Sequence, residues 1–200
     1  MHIAILGAGS VGGGLGQAFS AVGHTVVFGV RDPESVKTQA ALALIPEAVA
    51  EQPAAAGEGA DLVVFAVRPV AMRAVAQELP PLAGRIVVDA MNRLDGDPSR
   101  STTQDLAELL PGARLVKAFN TIGFENLTTA RDRSLPAAMF VAADDEAAKR
   151  VVMNLADEIG FAAEDAGGLS NAKPLEEMVK VWVALSRVHG RTVAFAVSKA

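Results

Sequence analysis

The chain has no cysteine and no tyrosine, a single tryptophan and three histidines in its 200 residues. Without cysteine there are no disulfides, no thiolate metal sites and no cysteine nucleophile, and a cytoplasmic address is the expectation. Without tyrosine, and with His2, His24 and His189 as its three histidines, acid–base catalysis has few side chains to draw on. His2 falls in the first predicted strand and His24 in the turn before the second, so both read as structural. His189 follows a long amphipathic segment and reads as surface or interface. No two histidines are close in sequence, and no metal site is expected.

Half the residues are hydrophobic, yet no apolar run reaches the ~18 residues of a membrane span. Glycines between Gly7 and Gly16 interrupt any signal-peptide core, and no basic segment precedes them. We expect neither membrane insertion nor a leader. A net charge of -5, with its basic residues scattered, argues against a nucleic-acid partner. The length suits one compact domain or one domain with a small extension.

What is present begins at once. The apolar strand Ile3 to Leu6 runs into Gly7-Ala8-Gly9-Ser10-Val11-Gly12, and a helical stretch to Val22 follows. Glycine-x-glycine-x-x-glycine between a strand and a helix is the dinucleotide fingerprint in its proper context. Gly7 permits the tight turn, Gly9 admits a pyrophosphate, and Gly12 lets the helix lie close on the strand. The free N–H groups and dipole of the helix start then favour an anion.

Strands and helices alternate through the chain, which predicts an α/β fold: a doubly wound, mostly parallel sheet. Further strands are expected at Thr25–Phe28, Asp61–Val67, Arg85–Asp89 and Leu115–Phe119, with Ile45 a candidate for a short one. Helices are expected from Pro33 to Leu44 with Asp32 as N-cap, from Pro69 to Leu79, and from Thr103 to Leu110. Glu47 to Gly57 reads as helical or loose, and Arg93 to Ser101 as an exposed loop. Residues 1–120 form the nucleotide-binding domain in this reading. Residues 121–200 add a small α/β extension on the same sheet: a strand at Ala137–Val141, a helix at Glu146–Ile159, a strand at Phe161–Ala163, and a final helix from Ser170 to about Ala196. That helix carries an apolar stripe of Leu175, Met178, Val179, Trp182, Leu185 and Val188, which must pack on the sheet or on a second subunit.

NAD-binding folds place an acid at the end of the second strand, on the ribose hydroxyls. Here that strand ends Phe28-Gly29-Val30-Arg31-Asp32. Gly29 or Val30 occupies the acid position and Arg31 follows, a guanidinium suited to a 2′-phosphate. Asp32 is committed to its cap, so NADP(H) is the expected cofactor. Ligands of open α/β sheets lie at the carboxyl edge, so Ala66-Val67-Arg68 and Ala90-Met91-Asn92 are candidates for the nicotinamide half. Asn92 and Asn120 each follow an apolar strand, and an amide there can hold a carboxamide or a substrate carbonyl.

With Gly29-Val30-Arg31, Lys117-Ala118-Phe119-Asn120-Thr121 and Asp165-Ala166-Gly167-Gly168-Leu169-Ser170-Asn171-Ala172 in order behind the glycine loop, the chain resembles the F420-dependent NADP oxidoreductase family, especially its bacterial dinucleotide-binding members. The resemblance implies a Rossmann domain with a small C-terminal α/β extension, assembled as a homodimer. It implies that Ser10 and Val11 contact the pyrophosphate and Arg31 the 2′-phosphate, and that Val67, Arg68, Ala90 and Asn92 flank the nicotinamide. It also implies direct hydride transfer between NADPH and a stacked deazaflavin, F420, or a flavin as in the related metalloreductases. Stacked rings need little more from the protein, in keeping with the sparse acid–base residues. No catalytic side chain is expected, and Asn120 and Thr121 are the substrate-side candidates. Two departures fall at the loop and the acceptor pocket: Gly-Ala-Gly replaces Gly-Gly-Thr-Gly, and Asn120-Thr121-Ile122-Gly123 replaces a histidine before Thr-Ile-Pro.

Two other readings compete. Reductases of small imines or hydroxyacids share the N-terminal domain, but they need a further helical domain of about this size again. A non-catalytic NADPH-binding sensor or partner subunit would need no catalytic side chains at all.

Overall fold

The structure is a computed structural model that describes residues 1–94 and 99–198. Strands β1 (His2–Leu6), β2 (Thr25–Gly29), β3 (Val49–Glu51), β4 (Leu62–Phe65), β5 (Ile86–Asp89) and β6 (Arg114–Lys117) form one sheet in the order β3-β2-β1-β4-β5-β6. Every pairing in it is parallel. Parallel strands are covered on both faces, and their sequences are accordingly apolar nearly throughout.

The side-chain alternation splits the core in two. Ile3, Ile5, Val26, Phe28, Val64 and Val88 face Leu15 and Phe19 of α1 (Ser10–Ala21). Ala4, Leu6, Val63, Phe65 and Val87 face the other layer, with Met72 and Val75 of α4 (Pro69–Glu78) and Leu106 of α5 (Thr102–Leu109). Each large aliphatic or phenyl side chain buried this way contributes roughly 1.5–3 kcal/mol.

The helix after β2 is shorter than its sequence pattern. It is α2 (Val36–Leu42), capped by Ser35 Oγ, which accepts from the Thr38 N–H at 3.3 Å. Asp32 is not the cap: its Oδ1 accepts from the Glu34 N–H at 3.0 Å and closes a tight turn ahead of the helix. Ile45 is buried core rather than strand, and the third strand is β3, followed by the short helix α3 (Pro53–Gly57). In the segment expected as an exposed loop, Asp95 to Pro98 lie outside the described residues, whereas Ser101 is buried as the N-cap of α5. It forms a capping box with Gln104, two backbone–side-chain bonds that fold the segment inward.

Beyond β6 the chain makes a second β-α-β unit, with β7 (Ala138–Val141) and β8 (Ala162–Asp165) parallel around α6 (Glu146–Glu158). Lys117 and Ala142 exchange antiparallel backbone bonds of 2.8 and 3.0 Å, tying this unit to β6. Met139, Val141, Val152 and Leu155 join the apolar cluster of Ile3 and Phe19. The last helix, α7 (Ala172–His189), follows a short 3-10 turn that includes Ser170. It stops well before Ala196, because Gly190 at φ +86 turns the chain back. The returning tail is pinned by Phe195 O accepting from the Ala138 N–H and Val193 O accepting from Trp182 Nε1, both at 2.8 Å. Leu175, Val179 and Trp182 of the predicted stripe are core; Met178 and Leu185 are half-buried, and Val188 is 76% exposed.

Candidate cofactor site

The glycine loop has the shape its spacing predicts. Gly7 has φ +102, and a Cβ there would lie 2.9 Å from Ala66 O, so the loop presses on the end of β4. A Cβ on Gly12 would stand 1.9 Å from Gly7 O, which leaves no room for any side chain between loop and helix. Gly9 is the N-cap of α1 without a capping side chain, and the first turn carries no acidic residue. The first N–H groups of α1, around Ser10, Val11 and Gly12, therefore have neither a helical partner nor a side-chain substitute. An uncapped, unopposed helix start is a place for an anion.

At the end of β2, Gly29 is buried; a Cβ on it would lie 2.6 Å from Leu6 Cδ2. Its smallness serves close packing of the sheet beneath the site. Arg31 is exposed; its carbonyl accepts from Gln52 Nε2 at 2.9 Å, and its guanidinium is unpartnered among the described residues. A second cation joins it. Lys37, in the first turn of α2, places its Nζ 3.8 Å from the point a Cβ on Gly9 would occupy. Lys37 is exposed and also unpartnered among the described residues. Sequence reading passed over it, because a helical lysine reads as solvated; the available signal was its place in the first helical turn after Arg31.

The other side of the crevice is built from the ends of β4, β5 and β6. Ala66 and Val67 are half-buried, and Arg68 is exposed at the N-cap of α4, where it makes no capping bond. Ala90 and Met91 are buried, Met91 in the α4–α5 layer. Asn92 is engaged at both ends of its amide: Nδ2 donates to Asn120 O at 2.8 Å, and Oδ1 accepts from Asn120 Nδ2 at 2.9 Å. Asn120 Nδ2 also donates to Leu175 O at 3.0 Å. Asn120 Oδ1 and Thr121 Oγ1 are both buried without a partner among the described residues. The turn that presents them passes through Phe119 at φ +62, a left-handed conformation that a bulky residue rarely adopts.

The histidines lie apart from this edge. His2 is at the start of β1, His24 precedes β2 and pairs with Glu158 at 2.9 Å, and His189 is exposed at the end of α7. Among the described residues no cluster of His, Cys, Asp or Glu could hold a metal ion. The segment Asp165 to Ala172 is a turn builder. Asp165 Oδ1 accepts from the Gly167 N–H at 2.7 Å, and Asp144 Oδ1 accepts from the Leu169 N–H at 2.8 Å. The Gly167 N–H, with Lys149 beside it, holds the Asp165 carboxyl below the ordinary range.

Residues 2–93, the strands, helices and loops that form the glycine loop, Arg31 and the β4 and β5 edges, match the family described as NADP oxidoreductase, coenzyme F420-dependent. The resemblance read from the sequence holds. A proposed F420-dependent NADP reductase from Arthrobacter sp. FB24 superposes with a TM-score of 0.87 at 28% identity, covering 100% of both chains. The family likeness also reaches Metalloreductase STEAP3 of Rattus norvegicus, 30% identical over 179 residues, or 87% of this chain. The chain spans about a third of that relative's length (35%). A reductive aminase from Aspergillus terreus, solved with NADPH4, shares the fold at a TM-score of 0.66 and 19% identity, over 60% of its own chain. The chain is thus similar to NADP oxidoreductases, over residues 2–93 by family and over its whole length by fold. Among the described residues no helix is long and apolar enough to cross a membrane.

Proposed function

We propose that this chain is a cytoplasmic oxidoreductase that binds NADP(H) on residues 1–120 and passes hydride directly between the nicotinamide and a stacked deazaflavin (F420) or flavin-like acceptor. The observation that carries the cofactor choice is the pair of cations without partners among the described residues, Arg31 and Lys37, on the side of a glycine loop with no acid at the end of β2. The uncapped start of α1 would hold the pyrophosphate, Arg31 the 2′-phosphate, and Lys37 the charge between them.

Bound NADPH supplies the hydride. The chain's own residues would orient and enclose it: Ala66, Val67 and Arg68 at the end of β4, Ala90 and Asn92 at the end of β5. Asn120 Oδ1 and Thr121 Oγ1, a spare acceptor and a spare hydroxyl at the same edge, suit a carboxamide or the polar edge of an acceptor ring. With every histidine away from this edge, the chain would supply no acid for the step: the hydride passes between the stacked rings, and the proton that completes the reduced acceptor comes from water.

The outer face of α7 supports a homodimer. Met178 and Leu185 are half-buried, and Val181 and Val188 are 54% and 76% exposed at helical spacing beside them.

The test is to mix the purified protein with NADPH and, in turn, F420, FMN, FAD and a ferric chelate, following nicotinamide absorbance. Turnover with F420 or a flavin supports the proposal and names the acceptor. Tight NADPH binding without turnover supports a sensor or partner subunit instead.

A further inference from the structure

Beneath the proposed nicotinamide edge lies a cluster of charge that the hydride reaction does not use. Asp89 ends β5 and Lys117 ends β6, and the two are Cα partners in the parallel ladder. Their side chains, with Glu176 of α7 and Thr102 of α5, are buried to 1% exposure or less. Lys117 Nζ donates to Asp89 Oδ2 at 3.1 Å, Glu176 Oε1 at 2.8 Å and Thr102 Oγ1 at 3.0 Å. Thr103 Oγ1 donates to Asp89 Oδ2 at 2.7 Å, and the Thr102 N–H to Glu176 Oε1 at 2.8 Å.

Three further bonds leave the cluster, and all go to the backbone around one residue. Asp89 Oδ1 accepts from the Met91 N–H at 2.9 Å, and Lys117 Nζ donates to Met91 O at 2.6 Å. On the far side, Glu176 Oε2 accepts from the Arg93 N–H at 3.3 Å. Asn92 is gripped on both flanks.

A buried ion pair is an inefficient source of stability, because desolvating the charges offsets most of their attraction, and apolar side chains of equal volume serve as well. What apolar packing lacks is direction. Bonds to the N–H and C=O of Met91 and the N–H of Arg93 restrict the dihedrals on either side of Asn92. The same loop is fastened from above by the Asn92–Asn120 pair. Asn120 is itself aimed by the left-handed Phe119, whose N–H meets Met139 Sδ at 3.2 Å and whose ring stands edge-on to Phe19 at 5.8 Å. The loops leaving β5 and β6 are thus clamped to each other and to α7.

We propose that Lys117, Asp89 and Glu176 are positioning residues that fix Asn92 and the Met91–Arg93 backbone against the nicotinamide half of the cofactor. This rests on the NADP(H) reading above. It makes α7 part of the cofactor site through Glu176, although that helix carries none of the cofactor contacts proposed above.

The experiment compares the full chain with Glu176→Gln and Thr103→Val, two near-isosteric changes that loosen the cluster without emptying it. Affinities for 2′,5′-ADP, which lacks the nicotinamide, and for NADPH are measured by calorimetry, and dihydronicotinamide emission is recorded at saturation. For Glu176→Gln the expected result is 2′,5′-ADP affinity unchanged, NADPH affinity about ten-fold weaker, and loss of the emission gain that accompanies ring burial. Thr103→Val moves NADPH in the same direction by less, and it decides the matter if Glu176→Gln fails to fold. Equal losses for both ligands, or no loss for either with emission intact, overturn the proposal and leave a purely structural cluster. Wild-type protein that binds neither ligand is a separate failure: it removes the NADP(H) reading, and this proposal with it, before any variant is compared.

Discussion

The Lys37 ammonium stands 3.8 Å from where a side chain on Gly9 would begin, so a cation of α2 overhangs the loop that opens α1. Arg31, just past the end of β2, adds a second exposed cation on the side where the proposed cofactor would carry its phosphates. A charge-assisted hydrogen bond contributes about 1.5–3 kcal/mol, so Arg31→Ala is expected to weaken NADPH about ten- to a hundred-fold while leaving NADH nearly unchanged. Lys37→Ala is expected to cost about ten-fold in NADPH affinity and to flatten its salt dependence. Titration of both variants with both cofactors checks this; equal losses of NADPH and NADH in Arg31→Ala would remove Arg31 from the 2′-phosphate.

Two neighbouring glycines should respond to alanine with opposite sign. At Gly12 the added methyl meets Gly7 O at 1.9 Å, so Gly12→Ala forces helix and loop apart. Overpacking of this kind costs about 1–3 kcal/mol or more. At Gly13 the methyl meets Ala41 Cβ at an ordinary 3.8 Å, inside a helix where alanine is the better residue. Gly13→Ala should stabilise by about 0.5–1 kcal/mol. Thermal melts of the two variants settle the pair; a destabilised Gly13→Ala or a neutral Gly12→Ala contradicts the loop geometry.

The parallel sheet and the glycine loop were legible because their signals are local: apolar runs between turns, and glycine where a Cβ has no room. Boundaries were less so. Asp32 and Ser35 are both good caps, and only the tertiary position of α2 selects Ser35. Trp182 and Gly190 illustrate the same limit, since an apolar stripe predicts a buried face but not the glycine turn that folds the tail back onto it. The Lys117–Asp89–Glu176 cluster was hidden for a different reason. Its members are distant in sequence and meet only once β5, β6 and α7 are assembled.

Arg114 donates two hydrogen bonds to Asp145, at 2.6 and 2.8 Å, and with the Ala148 N–H this holds the Asp145 carboxyl well below the ordinary carboxylate range. In the unfolded chain this carboxyl protonates near pH ~4, but in the native one only at lower pH. The unfolded state binds more protons across that interval, so the contribution is complete above pH ~4 and is lost as the pH falls through the native value. Urea midpoints taken from about pH 5 to about pH 3 should fall more steeply for wild type than for Asp145→Asn. Parallel slopes would show that the pair is uncoupled from folding.

The exposed valines of α7 give a test of assembly. Val181→Asp with Val188→Asp places charge on the exposed face of α7 without touching the buried Leu175, Val179 or Trp182. Sedimentation should show a dimer for wild type and a monomer with an unchanged melt for the double variant. A wild-type monomer at the same concentration contradicts the proposed homodimer.

The central claim, direct hydride transfer between NADPH and a stacked acceptor ring, is tested most directly by following the hydride itself. NADPH carrying deuterium at the transferring position of its nicotinamide is turned over with F420, or with the flavin that supports turnover, in ordinary water. The account predicts that the deuterium appears in the reduced deazaflavin or, for a flavin whose new N–H exchanges, as a primary isotope effect on transfer. Deuterium absent from reduced F420, no isotope effect with a flavin, or no oxidation of bound NADPH by any of these acceptors would contradict it.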